Sequence, residues 1–184
     1  MAALDFLLNS NREVTVAHFN HGTPHGEVAE AFIRDFCNKN NVPISVGSSS
    51  LGRPRGTSQE EHWRNQRYQF FNSLDDIVVT AHNLDDVCEW WIFTSLNGHP
   101  RLIPARNANV IRPFLLTPKE VMKTWCNSKK VPHVCDPSNR SPRYARSIIR
   151  HKIMPEALKI NPGFRTVIAK QLHLENKGQN KVSI

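Results

Sequence analysis

An apolar run, Ile77-Val78-Val79, stands directly before His82-Asn83-Leu84-Asp85-Asp86-Val87-Cys88-Glu89. The first stretch has the character of a buried strand and the second opens a segment with helical spacing. A strand that turns straight into a helix is the building unit of an open α/β sheet, and ligands of such sheets sit at the carboxyl ends of the strands. This corner carries one imidazole and three carboxylates. Asp86 and Glu89, three positions apart, share a helical face, and His82 lies just upstream at its mouth. The set suits a cationic substrate or a metal ion. The alternative is that Asp85 and Asp86 only complement the helix dipole and Glu89 is a solvated surface charge.

The rest of the chain repeats the alternation. Residues 2–9 read as the end of a helix, and Val14-Thr15-Val16-Ala17-His18 has the period of a strand. The loop His21-Gly22-Thr23-Pro24-His25-Gly26 leads into a helix near 27–40, whose apolar positions Val28, Ala31, Phe32, Phe36 and Cys37 fall on one side. Ile44-Ser45-Val46 is a short strand, and residues 47–56 have loop composition. Ser58 caps a helix reaching about Phe71; strand 77–81 and helix 84–96 follow, then strand Val110-Ile111-Arg112. A further helix begins with Thr117 as cap, Pro118 at the first helical position and Glu120 three residues after the cap. The expectation is a Rossmann-like parallel sheet with helices on both faces, its first strand missing. Neither GxxxxGK[ST] nor GxGxxG occurs, so no phosphate-cradling loop is expected within these residues.

Length, charge and cysteines narrow the function. The 184 residues suffice for one sizeable core, divided here into 1–135, a nucleotide-binding domain, and 136–184, a basic helical segment. Residues 1–100 carry seven Lys and Arg against twelve Asp and Glu, whereas residues 101–184 carry seventeen against four. A net +13 on the second part points to a polyanion partner, because each phosphate neutralised releases counterions. A basic surface that only confers solubility is the plainer alternative. Cys37, Cys88, Cys126 and Cys135 form no CxxC pair, which speaks against a zinc ribbon or a cysteine-held cluster and for reduced thiols in a cytoplasmic chain. No apolar stretch has membrane-spanning length. His18, His21 and His25 are read without a metal, and Trp90 and Trp91 as helix core.

An ordered set of blocks then carries a resemblance: Val16-Ala17-His18-Phe19-Asn20-His21-Gly22; Glu60 with Arg64, Arg67 and Tyr68; the corner His82 to Glu89; Ile111-Arg112-Pro113; Asp136-Pro137-Ser138-Asn139; and Tyr144-Ala145-Arg146 to Arg150, with Pro155. In order and spacing they resemble the nucleotide-binding domain of the tRNA(Ile)-lysidine synthetase family, ATP enzymes of the PP-loop class. That family's SGGxDS loop is expected directly before Met1, and Ser147 stands where the family usually has Asn.

The resemblance implies a two-step ligation. ATP adenylates the C2 carbonyl oxygen of the wobble cytidine in a tRNA(Ile) with a CAU anticodon, and the ε-amine of free lysine then displaces AMP. His82, Asp86, Glu89 and Arg64 are implied as catalytic residues, with Asp86 and Glu89 holding the lysine amino groups. Asp85, Arg67, Arg112, Asp136, Asn139, Arg146 and Arg150 are implied in substrate binding, and His18, Asn20, His21 and Gly22 in the adenosine site. Mg2+ is expected with ATP, bridging its phosphates, with no metal ligand assigned among the protein's residues. The resemblance leaves room for a homodimer and gives no reason to expect a membrane. Two rival readings are a PP-loop tRNA thiolase, which needs paired cysteines or an iron–sulfur cluster, and a catalytically inactive tRNA-binding remnant.

Overall fold

The computed structural model describes residues 1–184 except 11, 50, 51, 53, 135–144 and 181–184. Its elements are α1 (Ala2–Leu8), β1 (Val16–Asn20), α2 (Pro24–Lys39), β2 (Ile44–Ser48), α3 (Gln59–Asn72), β3 (Val78–Val79), α4 (Leu84–Leu96), β4 (Arg106–Asn107), β5 (Val110–Ile111), α5 (Lys119–Ser128), α6 (Ala145–Ile148), a π-helical turn (Ile149–Ile153), α7 (Met154–Ile160) and α8 (Phe164–Asn180). β1 pairs parallel with β2, and β3 parallel with β5. The parallel α/β architecture expected from the alternation is therefore present. Among the described residues the two pairs form separate sheets, joined through side chains, where Ala17 of β1 packs on the Phe71, Val78 and Val110 cluster.

β4 was not legible in the sequence. It runs antiparallel to β5 across a two-residue turn, Ala108-Asn109, with Ala108 in the left-handed region at φ 51°. The Nδ2 of Asn109 donates to Phe71 O at 2.8 Å and to the carbonyls of Leu74 and Asp76 at 3.2 Å, which fastens this hairpin under the end of α3.

Caps set most helix starts. Ser58 Oγ accepts from Glu61 N at 3.1 Å, as its sequence position predicts. The α2 helix begins three residues before the expected 27, because Thr23 Oγ1 accepts from Gly26 N and Pro24 takes the first position. Its buried stripe is also rotated from the expected one: Ile33 and Cys37 are inside, while Ala31 is exposed and Val28 is 57% exposed. The capping box read at Thr117 does not form. α5 starts at Lys119, and the acceptor for Lys119 N is Asp85 Oδ2 at 2.8 Å, a carboxylate delivered from α4.

The main core gathers around α4. Leu84, Val87, Cys88 and Ile92 pack against Leu102, Ile103 and Leu115, and the helices after residue 144 complete the layer with Ile149, Met154, Ile168 and Leu172. No helix among the described residues is long and apolar enough to cross a membrane.

Candidate functional site

The corner forms at the end of β3 as its residues dictate. Asn83 caps α4, its Oδ1 accepting from Asp85 N at 3.0 Å and Asp86 N at 3.2 Å, while Asp86 Oδ2 accepts from Asn83 N at 3.0 Å. One oxygen of Asp86 is therefore committed to the helix start. Glu89, one turn on, is only 3% exposed and is not a solvated surface charge.

The sequence leaves Asp86 and Glu89 open to an external cation, but the fold supplies an internal one. Arg150 Nε donates to Glu89 Oε1 at 2.6 Å, its Nη2 to Glu89 Oε2 at 2.8 Å and, more weakly, to Asp86 Oδ1 at 3.5 Å. This fork is the geometry guanidinium and carboxylate favour. The bonds to Glu89 raise the Arg150 pKa. Arg150 thus faces inward to α4, not outward to an RNA. Asp85, read as a substrate ligand, also has internal partners. Arg165 of α8 donates to its Oδ1 through Nε at 3.0 Å and Nη2 at 2.7 Å, and Lys119 N to its Oδ2. Burial works against its charge, yet these hydrogen bonds outweigh that and hold its pKa below the usual value.

Beside the carboxylates opens a cavity of about 470 Å3, lined by Arg64, Arg67, Arg101, Arg112 and Arg146 with Tyr68, His82 and Trp90, the 100–104 strap, Asn107 and Glu175. Arginine and aromatic side chains interleave: Arg64 lies over Tyr68 at 5.5 Å and over Trp90 at 5.3 Å, Arg146 over Trp90 at 5.7 Å, and Arg112 over Tyr68 at 5.9 Å. Arg112 is 4% exposed. It donates to Pro104 O and to Tyr68 Oη, both at 2.8 Å, and its buried Nε has no partner among the described residues. Arg67 is held below its ordinary pKa by burial, with Arg64 and Arg146 adding to the effect. A set of buried guanidiniums with no carboxylate on Arg112 is costly unless an anion completes it.

His82 lines this cavity, its Nδ1 2.9 Å from Thr80 Oγ1. Burial pushes its pKa down to about 4; Asp86 opposes this and Arg112, Arg67 and Arg146 reinforce it. The ring is neutral at pH 7.

The expected adenosine residues assemble at the end of β1. Asn20 Oδ1 accepts from Gly22 N at 2.9 Å, with Gly22 at φ +68°, and Asn20 Nδ2 donates to Glu30 Oε2 at 2.8 Å. His21 packs between Phe19 and Trp63, ring centroids 5.2 and 5.1 Å away. Burial, followed by Arg67 and His18, lowers its pKa to about 4. His18 Nε2 and His21 Nδ1 are buried without a hydrogen-bond partner, a pair of polar atoms available to a nucleoside. Arg67 acts electrostatically on both His21 and His82, so the two strand ends address one site. Asp136 and Asn139 lie outside the described residues. Among the described residues no three His, Cys, Asp or Glu stand close enough to hold a metal ion.

Sequence reading missed Tyr68 and Arg101 as parts of the cavity, and it placed Trp90 in the core. A signal existed for two of them. Tyr68 is four residues after Arg64 and Trp90 four after Asp86, each on the same helical face.

The profile of the PP-loop domain matches residues 1–157. The chain belongs to the PP-loop family. It is 33% identical over 148 residues to the tRNA(Ile)-lysidine synthase of Thermosipho africanus strain TCF52B, covering 76% of this chain and 32% of that protein. The tRNA(Ile)-lysidine synthases of Pseudothermotoga lettingae and Staphylococcus aureus strain COL are 31% and 28% identical, over 87% and 84% of this chain and 39% and 41% of their own lengths. This PP-loop chain thus spans about a third to two fifths of the relatives it matches. Among solved structures it is similar to the U34-tRNA thiolase NcsA from Methanococcus maripaludis with its [4Fe-4S] cluster, at a TM-score of 0.72 and 16% identity over 94% of this chain and 67% of that one. That likeness bears on the fold alone, and agrees with the PP-loop arrangement.

Proposed function

We propose that this PP-loop chain carries the tRNA-modifying centre of a tRNA(Ile)-lysidine synthase, an ATP-dependent carbon–nitrogen ligase of the cytoplasm. The observation that carries the reading is Arg112, almost wholly buried, with an unpartnered Nε at a cavity bearing four further arginines. Such a cavity calls for an anionic nucleotide. The adjoining aromatic rings of Tyr68 and Trp90 suit a base taken out of its stack.

In this reading the Arg64, Arg67, Arg112 and Arg146 guanidiniums brace phosphate and the charge that develops on the activated base. His18 and His21, with their free ring nitrogens, border the adenosine. ATP supplies the adenylyl group, and Mg2+ accompanies its phosphates. Asp86 and Glu89 attract the lysine ammonium, which meets them where Arg150 now sits and so shares or takes over that contact. The tRNA(Ile) relatives, at 28–33% identity, favour cytidine-to-lysidine chemistry over thiolation. Cys88, the corner's own thiol, also fits sulfur transfer poorly, since burial pushes its pKa up to about 12.

Incorporation of labelled lysine into a tRNA(Ile) transcript with a CAU anticodon tests the proposal. ATP-dependent incorporation is expected there and not into the same transcript with a UAU anticodon. Equal labelling of both, or none in either, would overturn it.

A further inference from the structure

The one polar side-chain neighbour of the His82 ring at hydrogen-bond distance among the described residues is a hydroxyl that the sequence gives no reason to notice. Thr80 Oγ1 lies 2.9 Å from His82 Nδ1, and Thr80 is itself anchored, its backbone N donating to Ile111 O of β5 at 3.0 Å. A neutral imidazole has one N–H and one lone pair, so the partner of Nδ1 decides what Nε2 can do. A threonine hydroxyl has one proton to give, and the acceptor within reach here is Nδ1. Arg67, Arg112 and Arg146 surround the ring electrostatically, yet none of them donates to it. A bare lone pair on Nε2 would draw one of these guanidiniums into a bond. The carboxylate of Asp86 favours an N–H on that side.

We propose that Thr80 is a positioning residue that holds His82 as the Nε2–H tautomer, so that the ring offers the cavity a hydrogen-bond donor for an anionic oxygen and not a base. The cavity is then lined almost entirely by donors: the arginines, the free Nε of Arg112 and the imidazole N–H. Its ligand group is an oxyanion, a phosphate or an activated carbonyl oxygen bearing negative charge. The inference deepens the reading of this cavity as a nucleotide seat and rests on it only for the ligand. The tautomer is a property of the free protein, so the two can fail separately.

Long-range 1H–15N correlation spectra of the uniformly 15N-labelled protein at pH 7, with no ligand added, read the ring directly. The His82 signals are assigned by their loss in His82→Gln. We expect Nδ1 in the unprotonated acceptor range and Nε2 in the protonated range. Thr80→Val removes the donor and moves both nitrogens toward the averaged positions of mixed tautomers, whereas Thr80→Ser restores the parent pattern. A protonated Nδ1 in the parent overturns the proposal, even if neither variant folds. So does a Thr80→Val ring that resonates as the parent's does.

Discussion

Arg150 and Glu89 stand 61 positions apart in sequence and 2.6 Å apart in space, joining the π-helical turn to the middle of the first half of α4. Glu89 is the more buried partner, its side chain 4% exposed against 25% for Arg150. Taking away the arginine would strand a charge in the core.

Arg150→Met should therefore lower unfolding free energy by about 3 kcal/mol, the scale expected when one member of a buried pair is removed. The double variant Arg150→Met with Glu89→Gln should recover part of that loss, because no ion is left uncompensated. Urea denaturation of the three proteins gives the coupling energy. Equal stability of the single variant and the parent would mean that water reaches Glu89 freely.

Salt dependence separates Arg150 from its neighbour Arg146. Arg146 lies over Trp90 at the cavity and has no printed bond to a carboxylate, so it is available to RNA phosphate. Its replacement by Ala should flatten the log Kd against log salt plot for tRNA by roughly one unit. Arg150→Ala should leave that slope unchanged, since its charge is already matched by Glu89 and Asp86. Filter binding across a salt series reads both slopes.

Acid should weaken the fold before the carboxylates titrate. His82 and His21 have folded pKa values near 4 against 6.5 in the open chain, chiefly because both are buried. Above pH 6.5 the two states bind the same protons there. As pH falls from 6.5 toward 4 the unfolded chain takes up protons that the folded one refuses, so stability declines through that window. The melting temperature should drop between pH 7 and pH 5, and His82→Gln with His21→Gln should flatten the decline.

Much of the site's frame was legible, because it depends on local chemistry. The strand at Val78–Val79, the helix from Leu84 and the Ser58 cap all follow from neighbours within one turn. The occupants of the carboxylates were not legible. Arg150 and Arg165 reach Glu89 and Asp85 across 61 and 80 residues, a separation no periodicity encodes. The same long reach undid the Thr117 capping box, since Asp85 provides the acceptor that Thr117 was expected to give. Trp90 was read as core because its neighbours in sequence are apolar, whereas its ring faces arginines brought from α3 and α6.

Asp85 fastens three helices, so its loss should be felt beyond one bond. Asp85→Ala removes the α5 start acceptor, worth about 1 kcal/mol, together with the contact to Arg165. A cycle with Arg165→Met should show a coupling of about 1 kcal/mol, tempered by the partial exposure of Arg165. Amide exchange at Lys119 should quicken in the Asp85 variant and remain slow in the Arg165 one. Slow exchange in both would place the α5 cap elsewhere.

The wide turn at Ile149–Ile153 fixes the length of the chain at that point. A π turn carries a residue more than an α turn, so deleting one residue there would relax it to α-helix and rotate everything downstream by about 100°. Met154, Ile168 and Leu172 would leave their places against α4, and Arg165 would lose its line to Asp85. Surface loops absorb changes in length at little cost. This stretch behaves like a keyed shaft, in which the count of residues between Arg146 and Arg165 matters as much as their identity.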